Sequence, residues 1–214
     1  MAVERTLSRG NVSAHGKLAE QTEIDIRLSQ YRSQFVAQVE PKYMEWARAG
    51  VLYGYNNGSA VGLPNVAGIP TTTATWAIYN NSTSKKVVIL KVAVMATTIT
   101  APVTAGLIVG LNTTAQGSET KYASSLALPL NTGQAAAEAY LTDAVTLTGT
   151  PLWQTVATYS GNSGLLGGSM VAWLDGMYVV PPDFAFAIDV IGSAGSTPLY
   201  DIDVIAAELP LDLG

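Results

Sequence analysis

Beyond residue 50 the chain is a succession of short β-branched runs separated by clusters of Gly, Pro, Asn, Ser and Thr, the texture of strands and turns. The runs predict strands at 74–79, 86–96, 105–111, 121–128, 138–147, 153–159, 170–180 with a break near Gly176, 184–191 and 199–207. Near the C-terminus the alternation is clean. Phe184, Phe186, Ile188 and Val190 fall on one side of a strand and Ala185, Ala187 and Asp189 on the other. After a turn over 192–198, Tyr200, Ile202, Val204 and Ala206 oppose Asp201, Asp203 and Ile205. Each of these strands has one core side and one different side.

Trp76-Ala77-Ile78-Tyr79, then the polar run 80–84, then Lys85 to Leu90 reads as strand, turn, strand and predicts a hairpin. The next strand does not alternate. Val88, Leu90, Val92 and Val94 lie on one side, and Val87, Ile89, Ala93 and Met95 make the other nearly as apolar, with Lys91 the interruption. Both faces are therefore expected to be covered, by residues 18–49 of the same chain or by another subunit, which makes Val87, Ile89 and Met95 interface candidates.

The first fifty residues differ. Ile24, Leu28, Tyr31, Phe35 and Val39 recur at helical spacing and predict an amphipathic helix over 19–39 that ends before Pro41. Ile24, Ile26 and Leu28 also alternate with Asp25 and Arg27, so an extended arm competes with the helix. Either form has an apolar face seeking a cover, and those five residues join the interface candidates. The fold class expected is all-β: a jelly-roll-like antiparallel β-sandwich over 51–214 carrying an N-terminal helical or extended arm over 1–50.

Charge sharpens this picture. Charged residues make up only 13% of the chain, and after Lys121 there is no Lys or Arg, while nine carboxylates remain. A free-standing domain usually carries about a quarter charged residues of both signs. Much of this surface is therefore expected to meet protein rather than water, because the buried centres of interfaces lose charged residues. The net charge is −5. The cations of the main domain, Lys85, Lys86, Lys91 and Lys121, are too few to neutralise a run of phosphates, so no direct nucleic-acid contact is expected. The uncharged stretch 92–111 holds four Thr, two Gly and a Pro, which favours two strands over a membrane span. Residues 1–16 lack the apolar core of a secretory signal, so retention in the cytoplasm until assembly or release is expected.

Candidate chemistry is sparse. His15 is the only histidine, it lies in a polar stretch, and the chain has no Cys, so a histidine-based triad or a thiolate metal site has nothing to build on. No phosphate-cradling, dinucleotide or nucleophile-elbow motif is present, and the glycines from Gly161 to Gly168 read as a loop. Asp189, Asp201 and Asp203 are placed by alternation on one face, where three carboxylates suit Ca²⁺. An amphipathic strand edge accounts for them as well, and no EF-hand spacing accompanies them, so no metal site, cofactor or catalytic residue is expected. Trp76 and Trp173 lie within strand patterns and read as core; Trp153, Tyr53 and Tyr55 are the aromatics that suit a sugar-stacking platform. Asn-x-Ser/Thr sequences such as Asn57-Gly58-Ser59 follow from composition.

The 76–89 strand-turn-strand, the Val179-Val180-Pro181-Pro182-Asp183-Phe184 entry to the penultimate strand and the closing strand ending Glu208-Leu209-Pro210 resemble jelly-roll virion proteins of bacteriophages, of the capsid decoration, head-fibre or minor capsid type. The resemblance covers residues 70–210 as an architecture. It implies a non-enzymatic structural role, virion localisation, a homo-oligomer (a trimer or larger ring), other capsid proteins as partners and no catalytic residues. The alternative is a carbohydrate- or receptor-binding sandwich of a tail fibre or secreted scaffold.

Overall fold

The computed structural model describes residues 7–8, 24–25, 43–56, 62–98, 103–116, 126–130, 135–161, 168–192 and 198–211. The chain divides into two compact units, Met1–Glu45 and Trp46–Gly214. In the first, β1 (Leu7–Ser8) pairs antiparallel with β2 (Ile24–Asp25). Ile24 and Asp25 are thus extended, as the competing arm reading has them and the helix does not. The other residues of the expected apolar face, Leu28, Tyr31, Phe35 and Val39, lie outside the described residues. A short helix α1 (Met44–Arg48) precedes the strands of the second unit.

Those strands are β3 (Leu52–Asn56), β4 (Leu63–Pro64), β5 (Thr73–Asn80), β6 (Lys85–Thr98), β7 (Val103–Leu111), β8 (Leu126–Pro129), β9 (Ala139–Thr146), β10 (Leu152–Gly161), β11 (Ser169–Val180), β12 (Ala185–Gly192) and β13 (Leu199–Pro210). They form two antiparallel sheets, in the orders β10-β7-β12-β5-β9 and β11-β6-β13-β3-β8, with β4 also paired to β13. From β5 to β13 every connection switches sheets except β9 to β10. That winding gives the sandwich its jelly-roll-like character.

The core lies between the sheets. Trp76, Ile78, Phe186, Ile188 and Val190 of the five-stranded sheet meet Val92, Val94, Ile202, Val204 and Ala206 of the six-stranded one. Alternation groups Phe186, Ile188 and Val190 on one side of their strand and Ile202, Val204 and Ala206 on one side of theirs. At roughly 1.5–3 kcal/mol for each large apolar side chain buried, this layer dominates the stability of the fold.

Two expectations are corrected. β5 and β6 are not a hairpin, because they lie in opposite sheets. The polar run between them forms a corner built from side chains. Asn80 Nδ2 donates to the carbonyls of Lys85 and Val180, Asn80 Oδ1 accepts from the Ser82 N–H, and Ser82 Oγ accepts from the N–H groups of Ser84 and Lys85. Asn80 and Ser82 are buried, so the corner is part of the interior.

The second correction concerns β6. Val87 and Ile89 are not interface residues; both are buried between the sheets. Ile205 pairs with Lys91 and Ala206 with Ile89, which leaves Leu90 as an extra residue in the ladder. This bulge reverses the phase of the strand, so Val87 and Ile89 point inward before it and Val92, Val94 and Ala96 after it. The neighbouring strand bulges at the same place. Leu174 to Met177 lie between the Trp173–Lys91 and Tyr178–Ile89 pairs, with Asp175 at φ 47° and Gly176 at φ 85° making the turn. A Cβ on Gly176 would stand 3.2 Å from Val88 Cγ1. The buried Val88 is therefore sheltered by its own sheet. A two-sided apolar pattern here records a bulge rather than a missing cover.

Candidate functional site

The outer face of the six-stranded sheet departs most from an ordinary protein surface. Along β11, Ser169, Val171, Trp173, Asp175, Met177 and Val179 all face solvent while Met170, Ala172, Leu174 and Val180 are buried. Trp173 is 61% exposed, Met177 73%, Val171 44% and Val179 40%, and Met95 on adjacent β6 is 48% exposed. The register arranges this face as a grid. Reading across β11, β6 and β13, one row is Ser169, Met95 and Asp201; the next is Val171, Ala93 and Asp203; the third is Trp173, Lys91 and Ile205. Lys91 Nζ lies 5.5 Å from the centroid of the Trp173 ring, a cation–π contact. Lys91 is the one cation among these nine positions. β11 is also an edge strand, paired only with β6 among the described residues.

Of the expected interface residues outside the first unit, only Met95 is on this surface. Trp173, read as core, is instead its most prominent side chain. Its exposure could not be told from alternation, because Met170, Ala172 and Leu174 on one side and Val171 and Trp173 on the other are both apolar sets. The aromatics expected to be available are not: Tyr53 and Tyr55 are buried in the core, and Trp153 is half-buried against Ala185 and Ala187.

The three candidate carboxylates do not come together. Asp189 belongs to β12 of the five-stranded sheet, whereas Asp201 and Asp203 belong to β13 of the other. β12 and β13 are consecutive but cross between sheets, so linear alternation placed on one face residues that the sandwich separates. Asp189 is fully buried. Its carboxylate accepts from the Thr75 N–H at 3.1 Å, the Thr75 hydroxyl at 2.7 Å and the Val190 N–H at 3.0 Å. Burial pushes its pKa up, and the bonds from Thr75 and Val190 oppose that. It borders a cleft of about 320 Å³ whose walls include Leu63, Val66, Ala74 and Val145. Among the described residues no group of three or more potential ligands is placed to hold a metal ion.

A second buried carboxylate was not anticipated. Glu208 Oε1 accepts from the N–H groups of Glu138 at 2.8 Å and Ala139 at 2.9 Å and from the Tyr55 hydroxyl at 3.2 Å. Lys85 Nζ lies 3.5 Å from Glu208 Oε2 and 2.5 Å from Glu138 Oε1. Glu208 thereby ties β13 to the start of β9 across the sandwich. Burial, then the charge of Glu208, hold the Tyr55 pKa well above its ordinary value. The bond from Lys85, then one from Ser82, lower that of Glu138. For Lys85, burial lowers the pKa, but its bond to Glu138 and the charge of Glu208 outweigh it and the net shift is upward. With Glu208 enclosed and Oε1 accepting three bonds, the cluster is a structural clasp.

Comparison with protein-family models, with curated proteins and with solved structures gave no match.

Proposed function

We propose that this protein is a non-enzymatic structural component of a virus particle, one that forms or decorates the capsid by assembling through the faces of its β-sandwich. The observation that carries this reading is the row of large apolar side chains left exposed on β11 and β6. Single exposed apolar residues are normal on any protein, but a contiguous set on the flat face of a sheet is a docking surface. The scarcity of cations on the main unit fits the same reading, since ions at an interface would have to be desolvated. The capsid setting comes from the jelly-roll resemblance. The partners are further copies of the chain, in a trimer or larger closed ring, and other capsid proteins.

Light scattering on a sizing column tests this for the full chain beside a chain shortened to begin at Gly50. Discrete closed oligomers for the full chain support the reading. Monomers for both chains, at all accessible concentrations, overturn it.

A second reading, a carbohydrate- or receptor-binding module, draws on the exposed Trp173 ring next to Lys91 on a row beside Asp203, since an open aromatic flanked by polar groups suits a sugar ring. Saturable binding to a glycan array that is lost in Trp173→Ala, from a chain that remains monomeric, would favour it.

A further inference from the structure

We infer that the β11-β6-β13 end of the six-stranded sheet's outer face is a self-complementary surface on which two copies of this chain meet about a two-fold axis, with Lys91 of each copy paired to Asp203 of the other. The inference rests on the reading that the sandwich assembles through its faces, and it specifies which face and which contacts. An isologous contact requires that one patch carry both halves of every complementary pair. This one does. In the grid of outer positions, Lys91 and Asp203 sit on either side of the diagonal that runs through Ser169, Ala93 and Ile205, and Val171 and Met95 sit on either side of the same diagonal.

Strands in a sheet lie about 4.8 Å apart and alternate residues along a strand about 6.7 Å apart, so the diagonal lies about 36° from the strands and a two-fold rotation about it brings the paired positions to within about 3 Å of each other in the plane, inside the reach of a lysine side chain. The rotation places Lys91 over Asp203 of the second copy and Met95 over Val171 of the second copy, each twice. The strands of the two sheets then cross at about 70°, nearer to the orthogonal than to the aligned geometry of sheets packed face to face. An axis parallel to the strands, through β6, would instead set Lys91 on Lys91. An axis perpendicular to them, through Ala93, would set Asp203 on Asp203. The other diagonal, through Trp173, Ala93 and Asp201, would set Asp201 on Asp201 and Lys91 on Val171. The charges thus select the first diagonal among the four axes.

The groups are free to do this. Among the described residues Lys91 has the Trp173 ring as its contact and no ion pair, and Asp203 is exposed without one. The small Ala93 at the centre allows close approach, with apolar contact on one side of it and charge on the other. Trp173 falls at a corner of the patch, over Asp201 of the second copy, with its ring beside the Lys91 ammonium.

Sedimentation equilibrium of the full chain at low salt tests the inference with four proteins: the wild type, Lys91→Glu, Asp203→Lys and the double swap. Each single variant places like charges together twice in one contact. Close interfacial charge pairs couple strongly enough that association is expected to weaken at least tenfold. The double swap restores opposite charges and recovers association to within about threefold of the wild type by the same coupling. Because Lys91 and Asp203 are also diagonal neighbours within one chain, melting at a concentration where all four proteins are monomers separates association from folding, and all four are expected to melt alike. A wild type that assembles while both single variants assemble equally well overturns this surface and leaves assembly through another face standing. Loss of association in the single variants without recovery in the double swap also overturns the pairing. A monomeric wild type removes the assembly reading itself, and this inference with it.

Discussion

The two outer faces of the sandwich are both rich in apolar residues, yet among the described residues only one is closed. On the five-stranded sheet the outer positions are small: Ala74, Ala77, Ala185 and Ala187 are buried together with Val145 and Leu147, and Tyr79 and Trp153 pack against them. Trp153 pairs with Gly110, which pairs in turn with Ala187, so the indole lies beside a position with no side chain to obstruct it. The loop after β7 seals one end, with the Asn112 N–H donating to the Ala185 carbonyl and the Gln116 N–H to that of Asp183. Gln116 Oε1 accepts from the Thr148 N–H while Asn112 Nδ2 donates to the Thr148 carbonyl. On the six-stranded sheet the equivalent positions hold Val171, Trp173 and Met95, and nothing described covers them. Small residues let a sheet face be closed by its own loops; large ones raise a surface that needs a partner of matching size.

Substitutions that break internal closure should cost stability, and those on the open face should not. The largest effect is expected at the clasp. Glu208→Ala leaves the Tyr55 hydroxyl and the N–H groups of Glu138 and Ala139 without their acceptor, while Lys85 keeps Glu138, and each buried donor left unsatisfied costs about 1–3 kcal/mol. Urea unfolding measures this, and association at native conditions should be unchanged. On the closed face, Ala187→Leu adds bulk where Trp153 and Ala77 leave no room and should cost about 1–3 kcal/mol.

Stability should also fall as pH rises past about 10, the ordinary range of Tyr and Lys. Tyr55 and Lys85 both have raised folded-state pKa values, so the stability they contribute is present below their unfolded values and is lost as pH climbs through the folded ones. A melting temperature that falls less steeply over this window in Tyr55→Phe checks the assignment. Glu138 works at the other end. Its lowered pKa contributes stability above the ordinary Glu range that is lost on acidification, whereas the raised pKa of Asp189 means that acid relieves the cost of its burial. The smallest effect on the fold is expected on the open face, where Trp173→Ser should change unfolding free energy by less than about 0.5 kcal/mol while weakening association.

The strands of this fold were legible from period-two alternation, and each of the nine expected strands overlaps an observed one. β3 was missed because Gly54 and the Asn56-Asn57-Gly58 run that follows it look like loop. Pairing was not legible. A polar run between two apolar segments is the same pattern whether the chain doubles back within a sheet or crosses to the other, and Asn80 decides for crossing through contacts to Val180, 100 residues away. The same limit grouped Asp189 with Asp201 and Asp203. On β6 a single extra residue, Leu90, turned a core pattern into an apparent two-sided one. The candidate surface was legible only through Met95, because Trp173 has the same composition signature inside a core as on a docking face.

Hydroxyl-radical footprinting across a protein dilution series tests most directly the claim that the open face is the assembly surface. The account predicts that oxidation of Met95 and Trp173 falls as concentration rises, while half-buried Trp153 on the closed face and buried Met170 keep constant rates. Protection of Trp153 with unchanged oxidation of Met95 and Trp173, or no change at any site as the protein assembles, would contradict it.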